Sequence, residues 1–489
     1  MAYGARVARR PFLPLALALA VALALPGLAG AEPSVTTEPS APTIPSVSTI
    51  PPSATTAPPA TTVPATPSTG ETSLAVGDEA AYRAALATLS ADASGPHTID
   101  LAADITVDDG TDPTYTGDQE LTIRGHGFAL DAAGTSRLLV ADSPADALIH
   151  LVDLTLRNGR ATGDGGAVLV LNASSVDIVD SRFDTNEASG SGGAVEVPLT
   201  AVVDRSDFTG NVAVSGDGGA LDAAAASGEF VIRASQFVEN DAPAGDGGAV
   251  SAIGFGSIST GNGVQRSTFV GNTARRGGGL VLSGGSAIAD STILDNRATV
   301  SGGGLLAETS STSAGIYLTL TGNAAPQGAN LAFRGRDLFL VFSVIAEPQG
   351  GGENCHFAGS SHTNIVHADD HSCGPGTNGG PPLLGPPADN GGRTLTREPL
   401  PGSPLIDAVP DGYGSPAVPG GCARFLGLDP TDQRGVLRPQ DGDGETRRAF
   451  ALGAPIEVAA DCDIGAVEAR AFVRTPLAGP VPGAPPFTG

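Results

Sequence analysis

The chain contains no lysine, no tryptophan and a single methionine, and its basic residues are all arginine. Aromatic residues make up 4% and charged residues 16% of its 489 positions. Scarcity of large side chains, with 68 glycines, describes a turn-dense fold of small residues, and the length suffices for one extended solenoid without a second globular core. No long apolar stripe of period 3.6 runs through the chain, which excludes a helical repeat. A formal net charge of −26 excludes a nucleic-acid partner, whose phosphates need a basic face, and disfavours anionic membrane surfaces.

Repetition is what the sequence has instead. Between Asp153 and Leu331 a Gly phrase, first read as Gly165-Gly166-Ala167-Val168, begins again at Gly192, Gly218, Gly247, Gly277 and Gly302, and in decayed form at Gln327. Successive copies start 25 to 30 residues apart, the period of stacked repeat architectures. Between them stands S-x-F-x-x-N: Ser181/Phe183/Asn186, Ser206/Phe208/Asn211, Ser235/Phe237/Asn240 and Ser267/Phe269/Asn272. The next copy has Ile293 for Phe, and the last keeps Leu320 and Asn323. Short alternating runs such as Val176-x-Ile178 and Phe230-x-Ile232 precede the Phe, and period-2 apolarity marks strands. Each period therefore reads as one coil of a parallel β-helix, about 4.8 Å from the next. Phe stacks on Phe and Ser points inward. Asn bends the corner in a left-handed conformation and bonds to the Asn above and below, while the paired glycines supply positive φ.

These two phrases resemble the G-G-A-[ILV] and F-x-x-N repeats of polymorphic outer membrane proteins, over roughly residues 151 to 331. The resemblance implies a right-handed parallel β-helix displayed outside the cell and associated with adhesion. No run of alternating outer-membrane barrel strands follows, so self-export is not expected. Ahead of the repeats, Asp78 is expected to cap a helix through Tyr82, Leu86 and Leu89, with order beginning near Gly77. His97-Thr98-Ile99-Asp100-Leu101 and Leu121-Thr122-Ile123-Arg124-Gly125 then look like the entry coils of pectate-lyase-like β-helices, whose open end a helix must plug. Beyond the repeats, Ala388-Asp389-Asn390-Gly391-Gly392, Thr394-Leu395-Thr396, Asp432-Gln433-Arg434-Gly435, Arg438-Pro439 and Cys462-Asp463-Ile464-Gly465-Ala466 resemble the choice-of-anchor Q domain that closes many secreted β-helix proteins.

The expected order is an export signal at 1–31, a disordered Pro/Thr/Ser-rich spacer at 32–72, the β-helix at 73–349, the anchor Q-like module at 350–470 and a Pro/Gly-rich tail at 471–489. The signal rests on Arg6, Arg9 and Arg10, an apolar run from Pro11 to Leu25 and the A-x-A site Ala29-Gly30-Ala31; Arg9-Arg10-Pro11-Phe12-Leu13 also fits a twin-arginine pattern, and the route stays open. That run is too short for a preferred membrane span, and none is expected once the signal is removed. The spacer has too little apolar surface to order and offers hydroxyls for glycosylation. Pro485-Pro486-Phe487-Thr488-Gly489 looks like a sortase signal with Pro for Leu, and no apolar stretch follows it. The fold class is all-β: a right-handed single-stranded parallel β-helix, pectin-lyase-like, with a capping helix and an irregular disulfide-containing C-terminal module.

Four cysteines in an exported chain read as two disulfides. Proximity favours Cys355 with Cys373 and Cys422 with Cys462, of three possible pairings. His356, His362, His367 and His371 lie between the first two but fit no standard zinc spacing. Asp441, Asp443 and Glu445 have the D-x-D-x-E look of a calcium loop, yet Thr446 and Leu452 stand where such a loop wants Gly and an acid, so a solvated acidic turn is preferred and calcium is the alternative cofactor. Asp164, Asp217 and Asp246, before the Gly pairs, read as turn-capping acceptors.

Polysaccharide cleavage is the rival function. Gly125-His126-Gly127 and Asp369-Asp370 resemble parts of a polygalacturonase site, but in the wrong order and without the lysine of its R-x-K. A pectate-lyase-like site needs carboxylates plus a base on one strand face, for which Arg205, Arg233 and Arg266 beside Asp204 are the candidates. The preferred reading is an extracellular, secreted or cell-surface, non-enzymatic protein binding a cell-surface, wall-polymer or glycan ligand, with a purely structural spacer as the third possibility.

Overall fold

A computed structural model describes residues 71–143, 147–172, 175–223, 230–253, 263–285, 287–374, 379–409, 431–438, 448–451, 454–457 and 462–469. The expected export signal, nearly all of the spacer, Cys422, the acidic turn at Asp441, Asp443 and Glu445, and the tail lie outside them.

The described chain is an all-β parallel solenoid. One coil, taken from the repeats, has a first wall at Val195–Val197, a second at Ala201–Asp204 and a third at Asp207–Thr209, followed by the short ribbon strand Val212–Ala213 and the next Gly turn. Each wall pairs in parallel with the same wall one coil on: Ala201–Asp204 with Phe230–Arg233, Asp207–Thr209 with Gln236–Val238. Second-wall pairing runs from Thr72–Val76 through to Cys355–Asn364. Later strands fuse walls, so that Leu305–Thr321 carries parts of all three. Among the described residues no helix is long and apolar enough to cross a membrane.

The wall residues alternate as their letters demand. Val176 and Ile178 are fully buried while Asp177 and Val179 face outward, and Phe183, Phe208, Phe237 and Phe269 are fully buried in one file. Their ring centroids lie 4.6, 4.8 and 4.9 Å apart, with the ring planes within 5° of parallel. That spacing is the coil repeat, so each ring covers the next and adds roughly 0.5–1.5 kcal/mol beyond its burial.

Beside the rings runs a chain of amides. The Nδ2 of Asn186 donates to Oδ1 of Asn211 (2.9 Å), and the same bond repeats from Asn211 to Asn240, Asn240 to Asn272, Asn272 to Asn296 and Asn296 to Asn323. The backbone N–H of each donates to the same oxygen, and the second Nδ2 proton meets a carbonyl one coil back, such as Phe183 O for Asn211. All are buried. The chain then leaves the repeat phrase, passing through Asn330 and Asn354 to the carboxylate of Asp369. Ser forms a parallel file, its Oγ accepting the N–H of the equivalent Ser one coil earlier, as in Ser181 N to Ser206 Oγ at 3.1 Å.

Two details differ from the sequence reading. Asn does not adopt the left-handed conformation; the residue before it does, Thr185, Gly210, Glu239 and Gly271 having φ of 53°, 63°, 53° and 68°. The paired glycines also divide their work: Gly192 and Gly218 have positive φ, whereas a Cβ on Gly193 would strike the carbonyl of Gly219 one coil on.

Order begins earlier than Gly77, because Thr72–Val76 pairs with His97–Leu101 as the outermost strand. Asp78 then caps the helix α1, Glu79–Ser90, accepting Ala81 N–H at 2.8 Å, and buries Tyr82, Ala85, Leu86 and Leu89 against the first coils. The ladder gives a test: Asn240→Ala removes an acceptor shared by two donors and strands Phe208 O, at about 1–3 kcal/mol for each buried group left unmade. Urea unfolding should therefore show a loss near that of Phe237→Ala, about 3–5 kcal/mol, while Val214→Ser at an exposed site changes stability by less than about 0.5 kcal/mol.

Candidate functional site

Outward positions of the first wall carry a feature the repeat pattern did not announce. Glu196 and Asp222 occupy the same slot in successive coils, paired in register, and the Oε2 of Glu196 is buried without a hydrogen-bond partner. Asp222 bonds to Ser251, the next residue of the file. Burial comes first among the causes that push Glu196 up to about 9, followed by the charges of Asp222 and Asp164. Burial likewise lifts Asp222 to about 6. A proton kept on Glu196 removes the like-charge repulsion between the two neighbouring carboxyls.

The Gly-turn aspartates surround this pair as cross-coil caps. Asp164 Oδ1 accepts Ser191 N–H and Asp217 Oδ1 accepts Asp246 N–H, both at 2.8 Å. Asp246 instead holds Arg275 and Arg276, and Arg276 reaches Glu308 at 2.9 Å. This face is thus acidic at Asp164, Glu196, Asp217 and Asp222 and charge-compensated further along, at Asp246, Arg275, Arg276 and Glu308. A signal was present: the residue two after Ala reads Leu169, Glu196, Asp222, Ser251, so aligned copies place two acids in one slot.

The other candidates separate. Arg205 and Arg266 sit at left-handed corners with φ of 48° and 49°, whereas Arg233 lies on the strand and pairs in register with Asp204. Arg205 is bound by Asp180 and Asp204, and Arg266 contacts Thr431. Asp369 ends the Asn chain and accepts Glu347 N–H, and Asp370 accepts Asn354 N–H and Ser372. His126 is a turn residue against Asp100. His356 meets Glu353, His362 stacks on Phe339 and His367 is buried against Gly380 O. Cys355 and Cys373 form a disulfide with Cα atoms 4.9 Å apart, and Cys462 is buried and disulfide-bonded, its expected partner Cys422 lying outside the described residues.

The segments after Gly379 lie along the third wall. Its outward file reads Thr155, Arg182, Asp207, Gln236, Thr268, Thr292, Thr319. Arg393 pairs with Asp207 at 3.1 Å, Leu395 N–H donates to Gln236 and Thr268 donates to Leu395 O. Gln433 bonds to Thr268 and accepts from Thr292, and Ala466 N–H reaches Thr319. A charged lock completes the contact. Arg438, buried, pairs with Glu468 and with Asp290 of the solenoid (3.0 Å) and lies 3.8 Å over the Tyr317 ring. Burial pushes Asp290 up to about 7 and Asp463 up to about 8.

No family model and no characterised protein matches the sequence, so the resemblances above rest on the quoted residues alone. Among solved structures, the chain titled L. reuteri 53608 SRRP is found with probability 1.00, 16% identity and a TM-score of 0.26, covering 60% of this chain and 96% of that one. At that score the likeness carries no argument.

Two outcomes are expected. Glu196 and Asp222 have folded-state pKa values above their unfolded values of 4.5 and 3.8. Their contribution is fully present below the unfolded values and is lost as pH rises through about 6 and about 9. Melting temperature measured from pH 5 to pH 9 should fall, and fall less in the Glu196→Gln/Asp222→Asn double variant. Arg438→Ala strands Glu468 and Asp290, a loss of about 3–5 kcal/mol; hydrogen exchange should then show residues 393–397 opening while the Phe183 to Phe269 coils stay protected.

Proposed function

We propose that the protein is a secreted or cell-surface solenoid that binds a wall polymer or glycan without altering it. The observation that carries this reading is that Glu196 and Asp222 stand side by side on adjacent rungs of one wall, paired in register. Hydrolysis of a glycosidic bond between two carboxyls needs them about 5–9.5 Å apart, with the sugar or a water between. Side by side on one wall, both carboxyls would meet a bound polymer from the same side and would not flank its scissile bond. The disulfide between Cys355 and Cys373 fits an oxidising compartment outside the cytosol. In this reading the mature chain begins at Glu32, the spacer tethers the rod and the rod presents its outer walls.

The second reading, cleavage of an acidic polysaccharide, is favoured by one fact: Glu196 at about 9 and Asp222 at about 6 are set apart as an acid and a base would be. Incubation of the purified full chain with polygalacturonate and with isolated cell walls separates them. Retention on the polymer with no new reducing or unsaturated ends is expected. Turnover abolished by Glu196→Gln would replace the binding reading with the hydrolytic one.

A further inference from the structure

The fused strand Leu331–Val341 turns the corner between first and second walls through a bulge. Gly335 pairs with Gly359 and Asp337 with Ser360, leaving Arg336 as the extra residue. Bulges of this kind re-aim a side chain, and the Arg336 side chain is 77% exposed. Asp337 and Phe339, two residues apart, face outward together, while Leu338 and Leu340 are buried inside. One coil on, His362 pairs in register with Phe339 and stacks on it, centroids 4.8 Å apart and 19° between planes. The Asp337 carboxylate lies 3.6 Å from His362 Nε2 and 3.6 Å from Arg336 Nε.

Phe339 departs from the rule of the chain. The ladder rings are fully buried, yet Phe339 is 40% exposed and is the aromatic ring among the exposed large apolar side chains of the described residues. Its apolar surface sits beside a carboxylate, a guanidinium and an imidazole whose polar edges are open to solvent.

We propose that Arg336, Asp337, Phe339 and His362 form a binding platform for one pyranose unit of a glycan. A pyranose has an apolar C–H face and a rim of hydroxyls. The Phe339 ring face turned away from His362, toward the small Ala314 of the preceding coil, would take the sugar's C–H face, Asp337 would accept from vicinal hydroxyls and Arg336 would donate to them or to a uronate carboxylate. This deepens the proposed function by naming the place of contact, and it rests on that reading.

Saturation-transfer NMR on the full chain, with cellohexaose and hexagalacturonate as separate probes, tests it. Transfer to the pyranose C–H protons of at least one probe is expected, falling about tenfold in Phe339→Ala, as for loss of one stacking ring. Phe339→Leu, which keeps apolar bulk without a flat ring, should show the same loss and an unchanged melting temperature. Leu437→Ala, at another exposed apolar site, should bind as the parent does. Transfer to hexagalacturonate alone, lost in Arg336→Ala, assigns an acidic glycan; transfer to both assigns a neutral one. Absence of transfer to either probe, or transfer undiminished in both Phe339 variants, overturns the platform. Retention of Phe339→Ala on cell walls at the parent level would overturn it too while leaving the surface-binding reading intact; loss of parent retention as well would remove both.

Discussion

Everything in this molecule depends on keeping successive coils in register, and a chain of side-chain amides does that. A parallel ladder alone permits slippage, since a shifted strand still finds N–H and C=O partners. A buried Asn does not: displaced from its file, it would leave a donor and an acceptor unmade in a dry interior. Each Asn is donor to one neighbour and acceptor for the other, so the file is directional. It begins at the N–H of Gly159, which donates to Oδ1 of Asn186, and ends on the carboxylate of Asp369. An anion at the donor end of an aligned row of amides is the favourable termination, because the bonds polarise one another toward it.

Inward files fix the rod, and outward files decide what lies on it. On the third wall the same slot changes from Arg182 and Asp207 to Thr268, Thr292 and Thr319. Thr at those positions is fully or almost fully buried, since the chain after Gly379 lies over it. A small hydroxyl both donates to and accepts from a covering segment, which a long charged side chain in that space would hold off. Arg438 is the complement: its guanidinium satisfies Glu468 and Asp290 at once, and Tyr317 covers its face, so charges on the solenoid and on the covering segment are paired across the seam.

Much of this was legible before any coordinates. Period, strand alternation, the Phe and Asn files and the capping role of Asp78 follow from the recurrence of the same letters at the same spacing, because a solenoid repeats its environment coil by coil. Two backbone details were misassigned, the left-handed residue before Asn and the second glycine, since both depend on contacts between coils and the sequence lists only neighbours along the chain. The Glu196 and Asp222 pair was missed for the same reason: outward residues vary, and only superposing copies reveals two acids in one slot. The lock at Arg438 was visible as a motif but not as a contact, because Asp290 lies 148 positions away.

Under the proposed glycan-binding reading, the disposition of the outer walls narrows where the polymer would meet the rod. Along the first wall the Gly turns bring the charges of Asp164 and Asp217 close to the Glu196 and Asp222 carboxyls. The third wall is covered by the chain that includes Arg393, Leu395 and Gln433. The second wall keeps its outward file in view at both ends, with His150 and Asp177 in early coils and Phe339 and His362 in late ones. A polymer laid along the rod would touch that file at intervals of about 4.8 Å, the coil repeat. Binding along such a face gains by adding weak contacts in series, which a rod with locked register provides and a flexible chain would not.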